Sequence, residues 1–315
     1  MLRAMTSHRL LIARILVLVN TTCAMGCGRA ATTTTQSSEN IGTLSANCEQ
    51  GKYVSCFSLG TKYAYADGVA RDSARAVGLF QRACDGGYVQ ACSGLGLIYE
   101  TGNGVTQDVP RAVTLYRRAC DSNDGLGCAY LGAMYEAGTR ITKDVANALT
   151  FYRRACDNGN SMGCGELGRM YFYGNGVAKD EEHALKLYQQ GCDGGYPRSC
   201  NMLGLSYETG AGVVKDQVRA NELFQRACDG GYAQGCTILA YSYASGTGVM
   251  KDQAHANELS QRACDGGEGS SCATLALAYE TGTGVTKDAA RARTLYQKAC
   301  GLGEKKACDD VTRLR

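Results

Sequence analysis

The chain has no tryptophan and only two prolines among its 315 residues, beside 41 glycines and 18 cysteines, which makes an ordinary globular enzyme a poor fit. Histidine is nearly missing too. His8, His183 and His255 are widely separated, so no cluster exists that could serve a zinc hydrolase. No Ser-x-x-Lys occurs, which removes the serine and its neighbouring base that a serine β-lactamase requires. No sign of charge dominates either: 33 Lys and Arg face 30 Asp and Glu, a net +3, and that field gives no footprint for nucleic acid. Long apolar runs are absent as well. The stretch Ile15 to Val19 is too short to span a bilayer.

What the chain does have is cysteine at a fixed beat. Sixteen cysteines form eight couples with a separation of eight: Cys48/Cys56, Cys84/Cys92, Cys120/Cys128, Cys156/Cys164, Cys192/Cys200, Cys228/Cys236, Cys264/Cys272 and Cys300/Cys308. Each couple follows the last by 36 residues. Seven residues between partners lie outside the usual zinc spacings, and no His lies near any couple, so disulfides in an oxidising compartment are expected and a metal is not.

The residues between couples repeat as well, with Asp85 to Cys120 as the type unit and seven units from Glu49 to Cys300. Cys92, Leu95, Gly96 and Tyr99 recur at helical spacing, as do Ala112, Leu115, Tyr116, Ala119 and Cys120. Each unit therefore predicts two helices. Gly102-Asn103-Gly104 ends the first, and Asp108 caps the second, with equivalents at Asp72, Asp144, Asp180, Asp216, Asp252 and Asp288. A small residue follows the Leu column at Gly60, Gly96, Gly132, Gly168, Gly204, Ala240 and Ala276, which implies close helix approach. The Tyr column (Tyr63, Tyr99, Tyr135, Tyr171, Tyr207, Tyr243, Tyr279) is expected to pack between hairpins. His183 and His255 are expected on solvated second-helix faces. Stacked hairpins complete one another's cores, giving an all-α solenoid over 46–315, with each disulfide joining the end of one second helix to the start of the next first helix.

Leu-Gly-x-x-Tyr, Gly-x-Gly-Val-x-x-Asp and Ala-x-x-Leu-Tyr, as at 95–120, resemble the SEL-one-like repeat, a relative of the tetratricopeptide repeat. The 36-residue period with paired cysteines is similar to the Helicobacter cysteine-rich protein family. The resemblance implies a right-handed superhelix whose concave face binds a protein or peptide, an exported location, and no cofactor. It also implies a competing activity, since some cysteine-rich members are described as penicillin-binding proteins or weak β-lactamases. A structural role in the cell envelope is the third alternative.

No catalytic residue is identified, because a catalytic constellation is singular whereas the recognisable features here are periodic. Binding is expected on columns that vary between units: Ser93, Ala129, Gly165, Asn201, Thr237 and Ala273, with Glu100, Glu136, Glu208 and Glu280 as an acidic ladder near the first-helix ends. The expected state is a monomer. Ahead of the repeats, Arg3, Arg9 and Arg14, the apolar run and Ala24-Met25-Gly26-Cys27 read as a lipoprotein signal over 1–26 with Cys27 as the lipidated residue. Residues 27–45, rich in Thr and Ser, read as a flexible tether, so the membrane is met only through the lipid.

Overall fold

The computed structural model describes residues 40–314. These form sixteen helices with no strand among the described residues: α1 (Ile41–Glu49), α2 (Tyr53–Tyr65), α3 (Ser73–Asp85), α4 (Val89–Thr101), α5 (Val109–Asp121), α6 (Gly125–Ala137), α7 (Val145–Asp157), α8 (Ser161–Tyr173), α9 (Glu181–Asp193), α10 (Pro197–Thr209), α11 (Gln217–Asp229), α12 (Ala233–Ser245), α13 (Gln253–Asp265), α14 (Gly269–Thr281), α15 (Ala289–Gly301) and α16 (Lys305–Arg313). They belong to two compact units, Met1–Lys143 and Asp144–Arg315. Unit 1 holds α1–α6 and unit 2 holds α7–α16. The signal segment and Cys27 lie outside the described residues, as does the tether up to residue 39. From Ile41 the expected tether is instead helix, capped by the Asn40 side chain on Gly42 N–H at 3.1 Å and anchored by Leu44 at 1% exposure.

Local chemistry sets the hairpins. Asp72, Asp108, Asp144, Asp180, Asp216, Asp252 and Asp288 each accept from the backbone N–H three residues on, worth about 1 kcal/mol apiece. The first helices end in left-handed residues such as Gly102 (φ 69°), and the loop's second glycine, Gly104, sits so close to the preceding second helix that a Cβ would lie 1.9 Å from that of Ser73. That loop closes with Asp108 N–H on the Tyr99 carbonyl at 2.9 Å.

Packing follows from one small residue against one ring. Tyr116 is fully buried, and a Cβ on Gly96 would stand 2.7 Å from its ring; Gly204 meets Phe224 at the same distance. A methyl there would overpack the core by roughly 1–3 kcal/mol. In unit 1, Leu44, Leu59, Phe80, Leu95 and Leu115 build a continuous core. In unit 2, Tyr188, Leu203 and Leu223 form one layer, Phe224, Leu239 and Leu259 another, and Leu275, Leu295 and Tyr296 a third.

The Tyr column, half-buried at most positions, is held from two sides. Arg117 and Arg153 of the preceding hairpins donate to the Tyr135 and Tyr171 hydroxyls at 3.1 and 3.0 Å, and at every position of the column except Tyr135 the hairpin's own second helix lays a guanidinium or imidazole on the ring. Arg111 stands 4.4 Å from the Tyr99 ring centroid, and His183 meets Tyr171 edge-on at 4.5 Å. His255 does the same to Tyr243. Both histidines stand on second-helix faces as expected, His183 exposed and His255 partly so, and each also packs on a ring of its own hairpin.

Disulfides tie successive hairpins. Unit 1 holds Cys48–Cys56, Cys84–Cys92 and Cys120–Cys128. Unit 2 holds Cys156–Cys164, Cys192–Cys200, Cys228–Cys236, Cys264–Cys272 and Cys300–Cys308. Their Cα–Cα distances lie between 4.4 and 4.8 Å. Closing each loop of about eight residues removes unfolded-chain entropy worth roughly 2.5 kcal/mol.

The first-helix partners pair as expected and also fill the core: Cys56, Cys128, Cys164, Cys236 and Cys272 are none of them more than 5% exposed, and Cys92 and Cys200 are buried with them. The reason is their place on the inner face of the first helix, on the same stripe as the Leu column three residues on. Sulfurs so bonded and covered are neither metal ligands nor a surface that a partner reaches. A polar link accompanies the sulfur link: Arg118 donates to the Cys84 carbonyl and to Asp85, both at 3.0 Å, and Arg226 and Arg262 repeat this in unit 2.

Candidate functional site

Residues repeated in every hairpin are used up by packing, capping and turns, so a site must stand where the pattern breaks. The expected ladder does not form one. Glu100 accepts from the Tyr116 hydroxyl at 2.8 Å and Glu280 from Tyr296 at 2.9 Å, with Arg313 also on Glu280. These carboxylates brace hairpins. Glu136 is half-buried and engaged, and Glu208 is half-buried in the hairpin where Phe224, without a hydroxyl, replaces that tyrosine.

Asn201 requires a correction, because it is 1% exposed and cannot lie on an open face. Within each unit its column packs first helix on next first helix: Ser93 bonds Asp124 at the N-cap of α6, and Thr237 meets Ser271 at 2.8 Å. Gly165 belongs to the same contact, where a Cβ would lie 2.2 Å from the Ser199 hydroxyl.

The face that does open lies one residue on. In unit 2, positions 162, 166, 169 and 173 of α8, 198, 202, 205 and 209 of α10, 234, 238, 241 and 245 of α12, and 270, 274, 277 and 281 of α14 recur at steps of four and three, so each set forms one stripe. Tyr173, Tyr241 and Leu277 on these stripes are 62%, 71% and 52% exposed. Met202, Leu205 and Ile238 are half-buried beside them.

At one place the stripe is charged. Glu166 is 7% exposed and takes three donors: Arg169 Nε at 2.7 Å, Arg198 Nη1 at 2.7 Å and the Tyr196 hydroxyl at 2.9 Å. A buried carboxylate is costly unless so satisfied. Burial and the adjacent Glu166 charge push the Tyr196 phenol up, so it remains an O–H donor. Burial opposes the Arg198 charge, but Glu166 more than offsets it and its pKa is raised.

No other hairpin needs this cluster. The Glu166 column holds Ser58, Gly94, Tyr130, Met202, Ile238 and Thr274, and the Arg169 column holds Thr61, Leu97, Ala133, Leu205, Tyr241 and Leu277. Two unpaired polar atoms adjoin it. The Tyr188 hydroxyl and the Ser199 hydroxyl are buried without a partner and line the same shallow depression as Glu166, Arg169, Arg198 and Met202. Tyr188 lacks the partner its counterparts have because Phe172 stands where Glu100 and Glu280 stand. Sequence reading missed the cluster; aligning the units column by column and marking charge on an otherwise neutral column would have found it. In unit 1, the cleft lined by Ala64, Tyr65, Phe80, Leu97 and Ile98 is mostly apolar and lacks such a cluster.

Stacked, disulfide-tied helical hairpins with an open first-helix face define a repeat protein of the protein-binding class. Residues 54–88, 89–124, 125–160, 161–196, 197–232, 233–268 and 270–304 each match the Sel1 repeat, and the chain belongs to the Sel1 repeat family. Among solved structures it is similar to a protective antigen of uropathogenic Escherichia coli strains displaying an SLR fold, with 28% identity, TM-score 0.66, and coverage of 87% of this chain but 59% of that one. It is also similar to a Sel1 repeat protein from Oxalobacter formigenes, with 25% identity, TM-score 0.67 and coverage of 87% and 80%. Helicobacter pylori cysteine rich protein B shares 30% identity over 44% of this chain and 99% of its own, at TM-score 0.35. No curated protein sequence matches the chain.

Proposed function

We propose that this protein is an exported scaffold, held at the bacterial cell envelope by lipid on Cys27, that binds an extended segment of a partner protein along the first-helix stripes of unit 2. It works as a monomer and without a cofactor. The observation that carries this reading is the set of exposed side chains on the first-helix stripes, Tyr241 and Leu277 at matching positions of α12 and α14 and Tyr173 one turn further along the stripe of α8. Export is supported by the eight disulfides, since regularly paired thiols stay reduced in most cytosols. Among the described residues no helix is long and apolar enough to cross a membrane.

A photo-crosslinking residue placed at 241 or 277 in the full chain, irradiated in native envelopes, should capture a defined partner. The same residue at Met250, which is 88% exposed in a loop, should not. Equal yields from all three sites, or none from any, would contradict the stripe as the binding face.

A further inference from the structure

We infer that the Glu166–Arg169–Arg198 cluster is an anchor for an aspartate or glutamate side chain of the bound segment, an inference that rests on the binding face proposed above. Recognition of an acid follows from the donor set. Arg198 gives Nη1 to Glu166 and lies beside the Tyr196 and Tyr232 hydroxyls, while 41% of its side chain stays exposed to a visiting group. A planar fork of this kind matches a carboxylate in two-point geometry.

Glu166 is the preorganising arm. From beneath, it holds Arg169 and Arg198 in place, so a visiting carboxylate meets groups whose rotamer entropy has already been lost. The orphaned hydroxyls of Tyr188 and Ser199 mark the same depression as short of hydrogen-bonding partners. The depression holds no closed volume for a free small ion, and Met162, Met202 and Leu205 continue the stripe on either side. Those features fit one acidic side chain within a peptide whose flanking residues are aliphatic or aromatic. Further exposed stripe residues of the unit, among them Gln234, Ser270 and Thr274, are neutral, so the acid is read at one point rather than along the whole segment.

The test uses the full oxidised chain and an array of acetylated, amidated twelve-residue peptides with Leu and Tyr in varied positions and Glu, Gln or Lys at the centre. Glu peptides should bind about tenfold more tightly than their Gln isosteres, roughly the 1.4 kcal/mol of one charge-assisted contact. Arg198→Gln should remove that preference, so that Glu and Gln peptides bind alike, and Arg198→Lys, which keeps charge but loses the fork, should retain a smaller one. A helical circular dichroism spectrum and a single cooperative melt certify the fold of each variant. Equal affinity for Glu and Gln peptides, with binding still lost in Tyr241→Ala, would overturn the acidic anchor and leave the binding face standing. Failure of every peptide to bind would remove both.

Discussion

The Tyr116 hydroxyl donates to Glu100 across 16 residues at 2.8 Å, tying the second helix of a hairpin to the end of its first. Glu100→Ala leaves that buried hydroxyl without its acceptor and should cost about 1–3 kcal/mol in urea unfolding. Combining it with Tyr116→Phe should recover part of the loss. Glu208→Ala, at a column where Phe224 offers no hydroxyl, should change stability by less than about 0.5 kcal/mol. Equal losses at 100 and 208 would contradict the brace.

Acid should loosen the stack. Asp85 and Asp193 are held below the ordinary carboxylate range, first by side-chain hydrogen bonds from Gln81 and Gln189 and then by Arg118 and Arg226 from the next hairpin. Lys298 leads for Asp265. Depressed carboxylates stabilise the fold above the unfolded value, near pH 4, and that contribution is lost as pH falls through the lower folded value. The urea midpoint should therefore drop between about pH 4 and pH 2 with the disulfides intact, and replacing Asp85, Asp193 and Asp265 with Asn should flatten that limb. These groups are largely exposed, so each effect is small and salt-sensitive.

Replacing Cys192 and Cys200 with Ala should lower stability by roughly 2–3 kcal/mol, and the Cys84/Cys92 pair should cost about the same, because both close loops of equal length. A protein that loses nearly everything with one pair and nothing with the other would contradict a ladder of equivalent clamps.

Most of the architecture was legible because it is periodic. Cysteines eight apart, an Asp before each second helix and a small residue after each Leu gave the hairpins, their caps and their links. The second-helix partners of the Tyr99 column were not legible, since Arg111 and His183 sit across a turn and register only in three dimensions. Glu100 looked like surface because nothing local shows that Tyr116 will reach it. The charged cluster escaped for a related reason: Glu166 and Arg169 lie on one helix but Arg198 and Tyr196 belong to the next helix and the turn before it, and the variable column chosen for binding, containing Asn201, turned out to be the seam between first helices. Helix α1 was hidden by a Thr- and Ser-rich approach, although Asn40 is an ordinary N-cap.

The proposed attachment is separable from folding. Cys27→Ala should move the protein from the membrane fraction to the soluble exported fraction while leaving its melting midpoint unchanged, because residue 27 precedes the first described helix. Unchanged fractionation would remove the lipid from the account.

Everything above depends on hairpins clamped by sulfur outside a reducing compartment. Rapid alkylation of the native protein at the moment of cell lysis, followed by unreduced peptide mapping, tests this directly. The expected result is sixteen unlabelled cysteines between Cys48 and Cys308, recovered only as partners eight residues apart. Most of those cysteines carrying label, or Cys92 joined to Cys120, would contradict it.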